Sequence, residues 1–332
     1  MIRASLLAAG GLLASFLAGV PSAYACGNVS IAEMNWNSAG VAAHVDRLIL
    51  SLGFGCTAEL IPGDTVSTFA TMNESGQPDI APELWVNALR SQLEPAFAQG
   101  RLVIGAEILA DGAIEGWWIP KFLADAHPEI RTVQDALKQP NLFPDPSNPS
   151  QGAVRNCPSG WSCQITTENL YRALNAKDKG FSLVGSGSAA ELDASLEKAF
   201  AEKTGWLGYY WAPTAIFGKH QMVKLSMGVP FDKAEWDGCT SVKDCANPKP
   251  NSYPTSQAFT VVTRRFADSA GPALAYLKAR QWGNGTLNTL LAWQSEHNAS
   301  NEQTALYFLK SHEDIWSAWL TPDIADKVKA GL

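Results

Sequence analysis

Beyond its first 25 residues this 332-residue chain contains no apolar run approaching the roughly 18 residues that a membrane-spanning helix requires. It also lacks any cluster of Lys and Arg, and 25 basic against 32 acidic side chains leave a formal net charge of -7. Nucleic acid and anionic membrane surfaces both ask for a basic patch, so neither is an expected partner. The five His are scattered and the Cys spacings do not match zinc knuckles, which leaves no metal site to expect. Catalytic signatures are missing as well: there is no G-x-S-x-G elbow, no H-E-x-x-H and no P-loop. Gly185-Ser186-Gly187-Ser188 lacks the strand-turn setting and neighbouring His that a serine nucleophile needs. Nothing calls for a cofactor or a reaction, and the expectation is a binding protein rather than an enzyme.

What is present begins at the N terminus. Residues 1–25 carry one charge, Arg3, then a run rich in Ala, Leu and Gly that closes with Ala23-Tyr24-Ala25. This reads as a secretory signal peptide with an A-x-A cleavage site, and the mature chain is expected to be soluble and exported. An oxidising compartment makes the six Cys disulfide candidates, although six thiols permit many connectivities. Cys157 with Cys163 and Cys239 with Cys245 share one short spacing, and Cys26 and Cys56 remain to pair. The rival fate for Cys26 is lipid attachment, against which Tyr24 stands where lipoprotein signals carry a small residue.

The mature length and a hydrophobic content of 46% allow two α/β lobes. Val29 to Met34 reads as a strand, and Val41, Val45, Leu48, Ile49 and Leu52 recur at helical spacing before Gly53. A strand from Cys56 to Ile61, a helix capped by Asp64 and a strand from Pro78 to Trp85 follow, predicting a parallel sheet with helices on both faces. Further on, Ile114–Ile119, Phe181–Val184, Trp206–Trp211 and Phe259–Val262 read as strands. Pro128–Leu137, Thr167–Ala176 and a helix reaching Lys203 behind a Ser188–Glu191 capping box read as helices. The Pro-rich segment from Pro140 to Pro158 is expected as an ordered irregular loop. The expected division is residues 26–114 with 257–332 as one lobe and 115–256 as the other. Each would be a mainly parallel sheet, joined to the other by a hinge of two crossovers.

Twelve Trp are the chain's most distinctive content. Trp161 lies inside Cys157-Pro158-Ser159-Gly160-Trp161-Ser162-Cys163, where a small disulfide ring can fix an indole on a loop. Trp85 and Trp211 end strands and Trp36 follows one, and open α/β sheets bind ligands beyond their strand ends. A single Trp is usually core, but this set suits an aromatic box for a quaternary ammonium ion, which has no N–H to donate. Trp117 and Trp118 are neighbours on a strand, so at most one can face a cleft. Backbone N–H groups of Ser162 and Cys163, at a helix start, could meet a ligand carboxylate. Arg90 reads as a solvated helix residue, whereas Glu115 and Glu33 either face the pocket or the outside of a sheet.

These residues carry a family resemblance. C-P-S-G-W-S-C-Q at Cys157–Gln164, G-Y-Y-W-A-P at Gly208–Pro213 and the Trp85 segment are similar to the substrate-binding proteins of ABC importers for glycine betaine, proline betaine, choline and related solutes. The resemblance spans the mature chain and implies the two-lobed periplasmic-binding-protein fold, a permease and its ATPase as partners, and a monomer. It implies Trp85, Trp161 and Trp211 as the cation box, with Ser162 and Cys163 as carboxylate donors. The chain departs from the betaine branch at Leu89, where that branch has His, and from the choline branch at Trp36-Asn37-Ser38, which lacks its acid. Glu115 falls near a pocket aromatic of the choline branch. Glycine betaine is the first expected ligand, with choline, carnitine and proline betaine as alternatives. The other class to weigh is a secreted carbohydrate-binding or carbohydrate-degrading protein, but the Trp segments are poor in the Asp, Asn and Arg that sugar hydroxyls need and in paired carboxylates.

Overall fold

A computed structural model describes residues 26–332. The signal-peptide reading falls on residues 1–25, outside the described residues. Among the described residues no helix is long and apolar enough to cross a membrane.

The chain forms two lobes, each built on a five-stranded sheet flanked by helices. The first sheet takes β1 (Asn28–Met34), β2 (Thr57–Gly63), β3 (Ile80–Trp85), β4 (Leu102–Glu107) and β10 (Ala258–Thr263), in the order β2-β1-β3-β10-β4. The second takes β5 (Ile114–Pro120), β6 (Gly152–Pro158), β7 (Phe181–Ser186), β8 (Gly208–Ala212) and β9 (Met222–Lys224), in the order β7-β6-β8-β5-β9. In each sheet one strand runs against the rest: β10 is antiparallel to β3 and β4, and β5 to β8 and β9. These reversed strands are the ones by which the chain enters the second sheet and returns from it. The two crossovers lie side by side, with Ala113 bridged to Ser256.

The local reasons are those the sequence offers. Helix α1 (Asn37–Phe54) buries Val41, Val45 and Ile49 and ends at Gly55, whose φ of 72° closes a left-handed cap. Asp64 caps α2 (Thr65–Ser75) by accepting the Ser67 N–H, and Phe69 and Met72 turn inward. The first lobe's core also buries the ion pair Asp46–Arg280 at 2.7 Å, with Tyr276 donating to Asp46.

Several expectations need correction. The segment 140–158 is not irregular throughout, because Gly152–Pro158 is β6, paired to β7 and β8. The helix expected from Thr167 begins at Ser162; its N-cap is Trp161, which offers no side-chain cap and so no sequence signal. Pro128–Leu137 holds only one helical turn, Val133–Ala136, behind a Thr132/Asp135 capping box. Ser188 accepts the Glu191 N–H as expected, but the Glu191 carboxylate takes the Gly187 N–H rather than closing the box. Strands β4 and β9 fall outside the expected elements, although Leu102-Val103-Ile104 after Gly100 is a short apolar run of the kind that announces a strand.

Candidate functional site

The strand ends and helix starts of the two lobes meet at a small, narrow aromatic cavity. Trp36, Thr65 and Trp85 line it from the first lobe, and Trp161, Ser162, Cys163, Tyr209 and Trp211 from the second. Trp85 is the last residue of β3, while Tyr209 and Trp211 lie two apart on β8 and therefore share a face. Trp36 and Trp161 are the residues that open α1 and the helix Ser162–Ala173.

The rings stand as walls at steep angles. Trp161 meets Trp36 at 5.3 Å and 71°, and Trp211 at 4.9 Å and 78°; Tyr209 lies along Trp211 at 6.3 Å and 25°. Their polar hydrogens are taken by protein acceptors. Trp36 and Trp85 donate Nε1–H to Glu83 Oε1 at 2.8 and 2.9 Å, Trp161 donates to Asn35 Oδ1 at 2.6 Å, and Tyr209 donates its hydroxyl to Glu115 Oε2 at 2.8 Å. Indole edges held by acceptors leave faces for a ligand, and a cation is attracted to such a face within about 6 Å of its centroid.

The Cys157–Cys163 disulfide closes the loop that carries Trp161. At its apex Gly160 has φ of 87°, and a Cβ there would meet the Asp64 carboxylate at 2.8 Å. The Gly160 carbonyl accepts the Val66 N–H from α2, so this loop touches the opposite lobe. Ser162 and Cys163 are the first two residues of their helix, whose N–H groups have no intrahelical acceptor and favour an anion. The other two disulfides, Cys26–Cys56 and Cys239–Cys245, are also formed, so the Cys26 sulfur is engaged with Cys56.

Trp36, Trp85, Trp161, Trp211, Ser162 and Cys163 are thus brought together. Glu115 is not in the wall: it is buried beneath Tyr209 and accepts from Asn87 Nδ2 at 2.7 Å and Ser256 Oγ at 3.1 Å. Burial pushes its carboxyl upward, against the pull of those three donors. Arg90 donates to Gln257 rather than facing the cavity, and Glu33 pairs with His44 and Asn301 on the outer side. Trp117 and Trp118 are both buried away from it. Sequence reasoning missed Tyr209, Thr65, Asn35 and Glu83. Glu83 and Tyr209 each lie two residues before a singled-out Trp on the same strand, and that spacing was the available signal.

Two α/β lobes joined by adjacent crossovers, with an aromatic cavity between them, define a solute-binding protein. The particular kind follows from the match of residues 27–311 to the family described as substrate binding domain of ABC-type glycine betaine transport system, and the chain belongs to that family. Solved structures share the fold at low identity. The glycine betaine, L-proline ABC transporter binding protein ProX from Borrelia burgdorferi is 18% identical over 91% of this chain and 99% of its own, with a TM-score of 0.70. An ABC-transporter choline binding protein in complex with choline is 16% identical over 92% and 98%, with a TM-score of 0.71. Lactococcal OpuAC in its closed-liganded form with glycine betaine is 17% identical over 89% and 99%, with a TM-score of 0.67.

Proposed function

We propose that this protein captures a quaternary ammonium compatible solute, glycine betaine first, in the periplasm and delivers it to an ABC permease and its ATPase. The observation that carries this is the composition of the cavity: four indoles and a phenol, with the polar hydrogens of Trp36, Trp85, Trp161 and Tyr209 turned to protein acceptors. Such a lining attracts a trimethylammonium group, to which it need donate nothing. At one side the N–H groups of Ser162 and Cys163 suit a carboxylate, which favours glycine betaine over choline. Position 89 is Leu, so it adds no imidazole to those donors. Choline, carnitine and proline betaine are the other ligands to rank.

A thermal-denaturation panel tests the proposal. A ligand at about 100 times its Kd adds roughly 2.7 kcal/mol to the folded state, a rise on the order of 5 °C for a chain of this size. Glycine betaine should produce it, and glucose or maltose should not. A rise with the sugars alone would support the carbohydrate reading instead.

A further inference from the structure

Glu83 lies at the Nε1 edges of Trp36 and Trp85 and is fully buried. Its Oε1 accepts three hydrogen bonds, from Trp36 Nε1, Trp85 Nε1 and Ser38 Oγ at 2.9 Å, while Oε2 has no partner. The same lobe shows the usual treatment of a buried carboxylate at Asp46, which is paired directly with Arg280. Burial pushes the Glu83 carboxyl upward, against the pull of its three donors and, more weakly, of Arg280, whose Nη2 bonds go to the Pro82 carbonyl and Thr260 Oγ1. Glu83 therefore has no salt bridge among the described residues, and two of its three donors are walls of the cavity.

We propose that Glu83 is the counter-charge of the site, a carboxylate at the Nε1 edges of Trp36 and Trp85 that selects a permanently cationic ligand group over an uncharged group of the same shape. An isolated buried carboxylate is costly unless an opposite charge completes it. A cation seated against the two indoles would be that charge, in a medium that screens poorly. The N–H to carboxylate bonds act in the same direction, since a charge-assisted bond draws the indole proton toward the oxygen and leaves the ring face more electron-rich. Sharing one acceptor atom also fixes the two rings against each other. The inference rests on the quaternary ammonium reading and adds to it the residue that enforces charge selectivity.

Two ligand pairs separate charge from shape. Glycine betaine and 3,3-dimethylbutanoate differ by nitrogen against carbon at the trimethyl centre, as do choline and 3,3-dimethylbutan-1-ol. In Glu83→Gln the amide oxygen can accept the same three donors, so the walls stay in place while the charge is lost. Calorimetric titration of the full mature chain should show the parent favouring the cation of each bound pair by at least about a hundredfold. Glu83→Gln should weaken the cation at least about tenfold, equivalent to ~1.4 kcal/mol, and leave the carbon isostere within about twofold. Equal weakening of cation and isostere would make Glu83 a positioning residue only and overturn the proposal. So would near-equal affinity for cation and isostere in the parent, a result that decides the matter even if the variant does not fold. Failure of the parent to bind either cation would instead overturn the quaternary ammonium reading, and the counter-charge with it.

Discussion

Replacing Trp161 gives the sharpest reading of how the cavity works, because this one ring does two separable things. Its face stands at steep angles to Trp36 and Trp211, and its Nε1–H crosses between the lobes to Asn35 Oδ1. The face is worth on the order of 2 kcal/mol to a desolvated cation, and the hydrogen bond about 1 kcal/mol to the closed form. Trp161→Ala loses both, about 3 kcal/mol, so glycine betaine affinity should fall on the order of a hundredfold. Trp161→Phe keeps an aromatic face but no donor, and should fall only about fivefold to tenfold. Titration calorimetry gives the affinities, and circular dichroism with thermal melting checks that each variant is folded. A folded Trp161→Ala within about threefold of the parent would refute the reasoning, as would a Phe variant as weak as the Ala one.

The ring Cys157–Cys163 should serve recognition more than stability. Replacing both Cys by Ser should cost about 2 kcal/mol in chemical denaturation on the loop-entropy estimate, yet weaken glycine betaine several-fold by freeing Trp161; unchanged affinity would remove the ring from recognition. Asp193 is pushed up to about 6, chiefly by burial, and accepts from Tyr210 at 2.6 Å. Its protonated form is the one the fold favours, so stability is fully present below about pH 4 and is lost as pH rises through about 6. Asp193→Asn should therefore raise the melting temperature at about pH 8 and leave it unchanged near pH 4; a gain equal at both pH values would contradict this. The lobes, with boundaries near residues 114 and 257, should close about the paired crossovers when ligand enters. Small-angle scattering should then show contraction with glycine betaine, and identical profiles would point to a static pocket.

The fold was largely legible because its first lobe follows strong local rules. The α1 stripe, the Asp64 cap and the strand leading to Trp85 each combine periodicity with a terminating residue. Reading failed where tertiary pairing decides. In β6, Arg155 interrupts the apolar pattern and Pro158 closes it, so only its two sheet partners make Gly152–Pro158 a strand. The start at Ser162 is set by the disulfide loop and the cavity rather than by a capping side chain. The four Trp that line the cavity could be named from sequence, though not Tyr209, since several Trp gathered at strand ends and in a disulfide ring are placed to converge on a cleft rather than to fill one core. Their acceptors could not: Glu83 and Asn35 are unremarkable in the chain and gain a role only when α1, β3 and the Trp161 loop converge. Glu115 shows the same limit in reverse, a conspicuous acid in a strand that turns out to hold Tyr209, Asn87 and the crossover residue Ser256.

The most direct measurement is a calorimetric titration of the mature chain with glycine betaine, choline, carnitine and proline betaine under one buffer. The proposal that the Ser162 and Cys163 N–H groups receive a carboxylate beside the aromatic cavity predicts saturable one-to-one binding, with glycine betaine the tightest of the four. Absence of binding by all four, at concentrations where a sugar binds, would contradict the account.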